Sequence, residues 1–296
     1  MQTFHGVWPA LVTPFTKDNK VNTAVLEDLI DHFLARKVDG FYVCGSTGQG
    51  LFMSVEERKL VTETVVKRVN QRAPVVAHIG SSVLKDAIDL AQHAQATGAD
   101  AISSVIPAYF NDAETIYQYY QWIADSAPQI SLWPYFWSDT SQNRLDLIRN
   151  LMRIQTINAL KYTGPDMYEM NLIINLSEDN WTVFSGMDEQ SVLAAMFGAH
   201  GCIGTTINLF PGAFQKIRAD VAKGKYKPAV DLQKRLNQVI AIMYKYNFRG
   251  TLMVMLRQMG FECGDPRLPH SPLPIERQQA FLDELERVNY QDLLSM

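Results

Sequence analysis

The chain has 296 residues, 27 Lys plus Arg against 31 Asp plus Glu, a net charge of -4 and 47% hydrophobic residues. That balance offers no basic stripe for nucleic acid, and no apolar run approaches the ~20 residues of a membrane span, so neither nucleic-acid nor membrane partners are expected. The three cysteines show no C-x-x-C and no zinc-like histidine spacing, which argues against a disulfide framework and a metal site.

Met1-Gln2-Thr3-Phe4-His5-Gly6 lacks the basic and apolar regions of a signal peptide, so a reducing cytoplasm is the expected setting. From there, short apolar runs alternate with longer helical patterns. Strands are predicted over Val7–Val12, Gly40–Cys44, Val75–Ile79, Ala101–Ile106, Ile130–Tyr135, Ile157–Thr163, Thr182–Ser185 and Cys202–Thr206. Helices are predicted over Val21–Lys37, Ser54–Asn70, Val83–Thr97, Asp112–Ser126, Arg144–Ile154, Pro165–Leu176 and Glu189–Gly198. Ser54 and Glu57 form a capping-box pattern, and Gly98 and Gly198 stand where helices end. Cys44 and Cys202 fall in apolar runs and read as small buried residues.

Parallel strands need crossover connections, and eight strand–helix units fit a (β/α)8 TIM barrel better than an open doubly wound sheet. After Thr206 the alternation stops. Pro211–Val221, Pro228–Tyr246, Gly250–Met259 and Pro274–Val288 read as helices with no strand between them, and Phe261–Leu273 as a long loop. The expected division is a barrel over residues 1–210 and a C-terminal helical region over 211–296. Leu232, Leu236, Ile240 and Met243 recur at helical spacing and predict a face packed on the region itself or on another subunit.

Barrel chemistry is carried at the C-terminal ends of strands. Strand six, Ile157-Asn158-Ala159-Leu160-Lys161-Tyr162-Thr163, is apolar apart from a lysine without a charge partner in the four preceding residues. Desolvation favours the neutral amine, the form that attacks carbonyls as a Schiff-base nucleophile. The alternative is a lysine emerging into solvent where the strand ends. Thr163, two residues on, faces the same side. Gly45-Ser46-Thr47-Gly48 after strand two offers backbone amides and two hydroxyls for a carboxylate, or is an ordinary loop. Tyr135 and Tyr109 read as acid–base groups or as packing aromatics. Asp188 and Glu189 either cap the following helix or face the barrel mouth. All of them gather at predicted strand ends, where the packing and capping readings have no reason to converge. No G-x-G-x-x-G or G-x-x-x-x-G-K-[ST] follows a predicted strand, which disfavours a nucleotide-binding sheet.

These residues carry a resemblance to a known family over nearly the whole chain. Gly6-Val7-Trp8-Pro9-Ala10-Leu11-Val12-Thr13-Pro14-Phe15, Gly45-Ser46-Thr47-Gly48, Pro107-Ala108-Tyr109-Phe110, Lys161 in its strand and Gly201-Cys202-Ile203-Gly204-Thr205-Thr206 resemble the pyruvate-dependent class I aldolases that include dihydrodipicolinate synthase and N-acetylneuraminate lyase. Lys161-Tyr162-Thr163, Gly186-Met187-Asp188-Glu189 and Phe248-Arg249-Gly250 are similar to the lyase branch. The synthases carry an arginine five residues beyond the catalytic tyrosine, where this chain has Thr140.

The resemblance implies a Schiff-base aldolase that cleaves a 2-oxo sugar acid, N-acetylneuraminate first, to pyruvate and N-acetylmannosamine. Lys161 would be the nucleophile and Tyr135 the general base, relayed through Ser46 and through Tyr109 of a neighbouring subunit. Thr47, Ala10, Thr163, Gly186, Asp188, Glu189 and Thr205 would hold substrate. It implies a homo-oligomer, dimer or tetramer, and no metal or organic cofactor, because the lysine supplies the electron sink. Alternatives are another 2-oxo-3-deoxy sugar acid aldolase, a dehydratase or synthase of the same family, or a non-catalytic binder. The chain departs from the family pattern at Gln49, usually glutamate, and at Phe136 and Ser138, usually asparagine and proline. Pro134 interrupts a predicted strand, and Trp133 and Trp137 are expected to crowd the sugar-binding side.

Overall fold

Alternating burial dictates the architecture of the computed structural model, which describes residues 4–108, 110–137, 144–176 and 181–296. Eight strands run β1 (Gly6–Pro9), β2 (Phe41–Val43), β3 (Val75–His78), β4 (Ala101–Val105), β5 (Ser131–Trp137), β6 (Ala159–Thr163), β7 (Thr182–Ser185) and β8 (Gly201–Gly204). All pair in parallel in the order β1-β8-β7-β6-β5-β4-β3-β2. A parallel bridge between Ala10 and Tyr42, with Leu11 N donating to Tyr42 O at 2.8 Å, joins β1 to β2 and closes the ring. The fold is the (β/α)8 barrel that the alternation implies.

Seven helices intervene: α1 (Thr23–Ala35), α2 (Val55–Val69), α3 (Leu84–Thr97), α4 (Ala113–Ser126), α5 (Arg144–Leu151), α6 (Met167–Leu176) and α7 (Ser191–Met196). Ser54 and Glu57 form both halves of the capping box, and Gly98 ends α3 at φ 87°. After β8 come α8 (Pro211–Ala222), α9 (Tyr226–Tyr246), α10 (Phe248–Gln258), α11 (Ile275–Arg287) and a short α12 (Gln291–Leu294). Helix α8 packs on β1 and α7, in the position of an eighth barrel helix. Leu232, Leu236, Ile240 and Met243 of α9 are all buried within the chain itself, against α8, α10 and α11.

Two apolar layers follow from the period-two alternation of the strands. Outward-facing residues such as Phe41, Val43, Val75, Ile102 and Leu160 form the large core against the helices. Inward-facing Trp8, Val76, Trp133, Phe184 and Ile203, with Phe4, fill the barrel interior. Trp133 stacks on Phe184 (centroids 5.3 Å apart, 21°) and meets Phe4 edge-on at 4.8 Å. It is fully buried in this plug and does not crowd the sugar side.

Three expectations shift. β1 leaves the sheet after Pro9 rather than Val12, because Ala10 and Leu11 turn to β2. β8 ends at Gly204, since Thr206–Asn208 tighten into a 3-10 turn. β5 continues through Pro134 to Trp137: pairing with β4 covers Ser131 to Tyr135 and pairing with β6 starts at Tyr135, so the missing N–H falls just before the β6 ladder. Among the described residues no helix is long and apolar enough to cross a membrane. Tyr109, Ser138 and Thr140 lie outside the described residues.

Candidate active site

A cavity of about 420 Å³ opens at the C-terminal ends of the strands. Its wall includes Ala10, Ser46, Thr47, Tyr135, Lys161, Thr163, Gly186, Asp188, Glu189 and Thr205. Tyr109 is the one expected site residue that cannot be located on it, for the reason given above. The wall also includes Trp137, Tyr244, Asn247, Phe248, Arg249 and His270.

Lys161 does not emerge into solvent. It is 4% exposed, directly beside Tyr135 in the β5–β6 register, and its Nζ lies 4.4 Å from the centre of the Tyr135 ring and 4.6 Å from that of Tyr42. No carboxylate among the described residues pairs with it. Burial therefore holds the amine below the usual lysine range, against weaker opposing pulls from Tyr135 and Asp188. The Tyr42 hydroxyl donates to Ser103 Oγ at 3.0 Å, and Ser103 in turn to Trp133 O at 2.9 Å. The aromatic wall of the amine is thus pinned from below.

Space for the lysine is made by a missing side chain. A Cβ on Gly186 would stand 1.8 Å from Thr163 Oγ1 and 2.9 Å from Lys161 Cε. The Thr163 hydroxyl is buried without a protein partner, a donor and acceptor facing the cavity. A second close approach occurs at Gly204, where a Cβ would meet Asp188 Oδ1 at 1.6 Å.

Asp188 and Glu189 make no side-chain cap to the turn or helix that follows them. Asp188 Oδ2 instead accepts from Thr206 N at 2.7 Å and from Thr206 Oγ1 at 2.8 Å, fastening the end of β7 to the loop after β8. Burial pushes its carboxyl up to about 6, with Glu189 adding to the rise and the Thr206 donors opposing it. Tyr244 of α9 is exposed along its ring, yet partial desolvation at the cavity and its bond to Glu189 push the phenol up to about 12.

The Ser46–Thr47 turn is built by backbone strain on both sides: Cys44 and Gln49 adopt φ 57°. Gln49 N donates to Ser46 O and Gly50 N to Gly45 O. The amides of Ser46, Thr47 and Gly48 find no protein acceptor among the described residues. Thr47 Oγ1 and Thr205 Oγ1 share a 2.7 Å hydrogen bond across the cavity. Gln49, in the place of the family's glutamate, accepts from Arg267 N at 2.8 Å and so helps anchor the 261–273 loop that brings His270 to the rim.

Tyr42, Tyr244 and His270 were not singled out by sequence. Tyr42 sits in Phe41-Tyr42-Val43, where a phenol between two outward-facing apolar residues was the available signal. Tyr244 and His270 come from outside the barrel repeat and carry no local one. Trp137 was expected to crowd the sugar side, and it does reach the cavity, lying parallel to Tyr135 (7°, centroids 6.3 Å) and half-exposed.

A buried amine beside a phenol at the C-terminal mouth of a (β/α)8 barrel, where barrel enzymes carry their chemistry, defines the class of site. A family model described as the dihydrodipicolinate synthetase family matches residues 3–288, and the chain belongs to that family. The N-acetylneuraminate lyase of Citrobacter koseri is 32% identical over 290 residues, 97% of this chain and 96% of that one. The Clostridium difficile protein solved in complex with mannosamine superposes with a TM-score of 0.91 at 29% identity, over 97% of this chain and 100% of that one. A Ruminococcus gnavus sialic acid aldolase, solved as a catalytic lysine mutant, gives 0.92 at 26% identity with 98% of each chain covered.

Proposed function

We propose that the chain is a Schiff-base aldolase that cleaves a 2-oxo sugar acid, with N-acetylneuraminate as the leading substrate. The observation that carries this reading is Lys161: an amine buried without a counter-ion, between two phenol rings, at the floor of the cavity. The names of the relatives, lyases and aldolases of sialic acid, support the substrate class.

In this mechanism the neutral Lys161 amine adds to C2 of the 2-oxo acid and water leaves, giving a protonated imine. Tyr135 takes the proton of the C4 hydroxyl, the C3–C4 bond breaks, and its electron pair flows into the iminium to form an enamine. The aldehyde departs. Protonation at C3 and hydrolysis then release pyruvate and restore the amine. The carboxylate rests on the Ser46–Thr47 turn, while Thr163, Gly186, Asp188, Glu189 and Thr205 meet the polyhydroxyl portion and Ala10 closes the near side. Ser46 and Tyr109, the latter from a neighbouring subunit, relay the proton to and from Tyr135. No metal or organic cofactor is required, since the imine is the electron sink.

An oligomer, dimer or tetramer, in the cytoplasm completes the reading; exposed Leu193, Met196 and Phe197, spaced along one side of α7, support a subunit contact. Trp137, half-exposed on the cavity wall, favours a second reading for the substrate, a 2-oxo-3-deoxy sugar acid without the bulky N-acetyl group. Incubation with pyruvate and borohydride tests the core claim. A mass increase matching a reduced pyruvoyl adduct on Lys161 is expected, and an unmodified lysine with bound pyruvate would make the chain a mere binder. Turnover of N-acetylneuraminate against 2-oxo-3-deoxy sugar acids separates the two substrates.

A further inference from the structure

Arg249 stands in the first turn of α10 and reaches the cavity from outside the barrel repeat. Its Nη1 is buried without a hydrogen-bond partner, and no carboxylate among the described residues pairs with it. The groups that favour its charge are phenols, Tyr135 and Tyr244, while burial works against it. A guanidinium stays protonated at any working pH, so this is a permanent charge on a partly buried residue, one of its nitrogens sealed from solvent with no protein partner to meet it.

The other nitrogens on the wall do not share the task. Burial holds Lys161 toward the neutral amine, and burial together with Arg249 itself holds His270 toward the neutral imidazole. Arg249 is thus the single permanent cation among the described residues lining the cavity. A 2-oxo acid arrives as an anion, and a neutral amine cannot balance it. The Ser46–Thr47 turn offers dipoles but no net charge, and Asp188 and Glu189 are of the wrong sign.

We propose that Arg249 is the counter-charge for a carboxylate of the bound substrate. Two sources of that carboxylate fit a cavity of this size: the C1 carboxylate beside the imine, or an acidic group on the aldehyde half. The inference rests on the 2-oxo acid aldolase reading and gives that cavity an electrostatic selector. Arg249 shares the cavity wall with Tyr135, which feels its charge and neighbours Lys161 in the strand register.

The test compares the parent chain with Arg249→Met and Arg249→Lys. The readouts are the pyruvate dependence of borohydride trapping at Lys161, and the condensation of pyruvate with a neutral aldehyde, N-acetylmannosamine, or an acidic one, glucuronate. Loss of a charge-assisted pair is expected to cost about 10- to 100-fold, with partial recovery in the lysine variant, whose charge lacks the planar fork. If pyruvate's own carboxylate is the partner, half-maximal trapping moves to higher pyruvate by that factor. If the acid lies on the aldehyde half, trapping is unchanged and glucuronate loses ground relative to N-acetylmannosamine. A folded Arg249→Met with the parent's pyruvate dependence and the parent's aldehyde preference overturns the proposal; should that variant not fold, Arg249→Gln, which also removes the charge but keeps a polar end, is read in the same way and overturns it equally if it behaves as the parent. Absence of trapping in the parent itself would instead remove the aldolase reading.

Discussion

Replacing Lys161 by Met should make the protein more stable and catalytically dead at once. Met matches the length of the lysine stem and keeps its apolar contacts, while the amine, 4% exposed and without a carboxylate partner among the described residues, is removed. Relief of burying a polar group is worth about 1–3 kcal/mol in proteins. Against that stands the attraction of any residual ammonium to the Tyr42 and Tyr135 faces, at 4.6 and 4.4 Å, about 0.5–1 kcal/mol. The net expectation is a gain of about 1–2 kcal/mol, or roughly 2–3 °C in melting temperature for a chain of this size. The gain should depend on pH. Burial lowers the folded pKa of Lys161 below the ordinary 10.5. Between the two values the unfolded chain binds the extra proton, so the parent gains stability as pH rises through that window and carries its full penalty below it. The advantage of Lys161→Met is therefore largest at neutral pH and shrinks as pH approaches the unfolded value. Chemical denaturation at neutral and alkaline pH, with pyruvate–borohydride trapping alongside, reads both effects. A folded variant less stable than the parent at neutral pH would mean that the amine has a structural partner and is not poised for attack.

The other predictions address neighbouring groups. Gly186→Ala forces the Thr163 hydroxyl and the Lys161 stem aside, since its methyl would lie 1.8 and 2.9 Å from them; displacement of about 1 Å at a nucleophile predicts a loss near 10²-fold in imine formation, measured by trapping rate. Tyr135→Phe is expected to keep trapping with pyruvate but slow carbon–carbon cleavage by ~10²-fold or more, and full activity would displace Tyr135 from the role of base. Asp188, with its carboxyl near 6, should ionise as pH rises through that value and then accept sugar hydroxyls more strongly, so kcat/KM for cleavage climbs on the acid side. In Asp188→Asn that limb should vanish, with aldehyde affinity falling far more than pyruvate affinity; equal losses of both would assign Asp188 to its Thr206 contacts alone.

The barrel was legible because its signal is repeated: eight apolar runs and seven helical stretches each state the same local rule, and an error at one boundary leaves the ring intact. The ends were less so. Pro9 and Gly204 close their strands through contacts with β2 and a 3-10 turn, which local periodicity does not encode. Lys161 announced itself as a charge in an apolar run. Tyr42 did not, because a tyrosine between Phe41 and Val43 has the same pattern whether its ring packs on a core or on an amine. The two tryptophans of β5 show the limit of pattern more sharply: their four-residue separation puts both on the inner face, yet Trp133 is sealed into the plug and Trp137 reaches the cavity. Depth along the barrel axis, fixed by register with β4 and β6, separates them. Asp188 looked like a free carboxylate or a cap, and its hold on Thr206 arises only when β7 and β8 are side by side.

The way α9 meets α10 places the rest of the site. Asn247 alone separates the two helices and does so at φ 88°, a conformation asparagine tolerates better than most side chains. Its Nδ2 donates to Ser271 O at 2.8 Å, tying the junction to the loop that carries His270. One residue with an uncommon backbone angle therefore delivers Tyr244, Phe248 and Arg249 to the wall facing the strand ends, with Tyr244 and Phe248 stacked at 4.6 Å. The Lys161 amine and the Tyr135 phenol sit on paired strands held by the barrel's own hydrogen bonds, whereas these groups sit on helices appended to the ring. On the proposed aldolase reading, changes at Lys161 and Tyr135 are expected to decide whether a bond breaks at all. Changes at Arg249 are expected to decide which acid is admitted, and a strain-increasing substitution at Asn247 should disturb the second property while leaving imine formation with pyruvate closer to that of the parent.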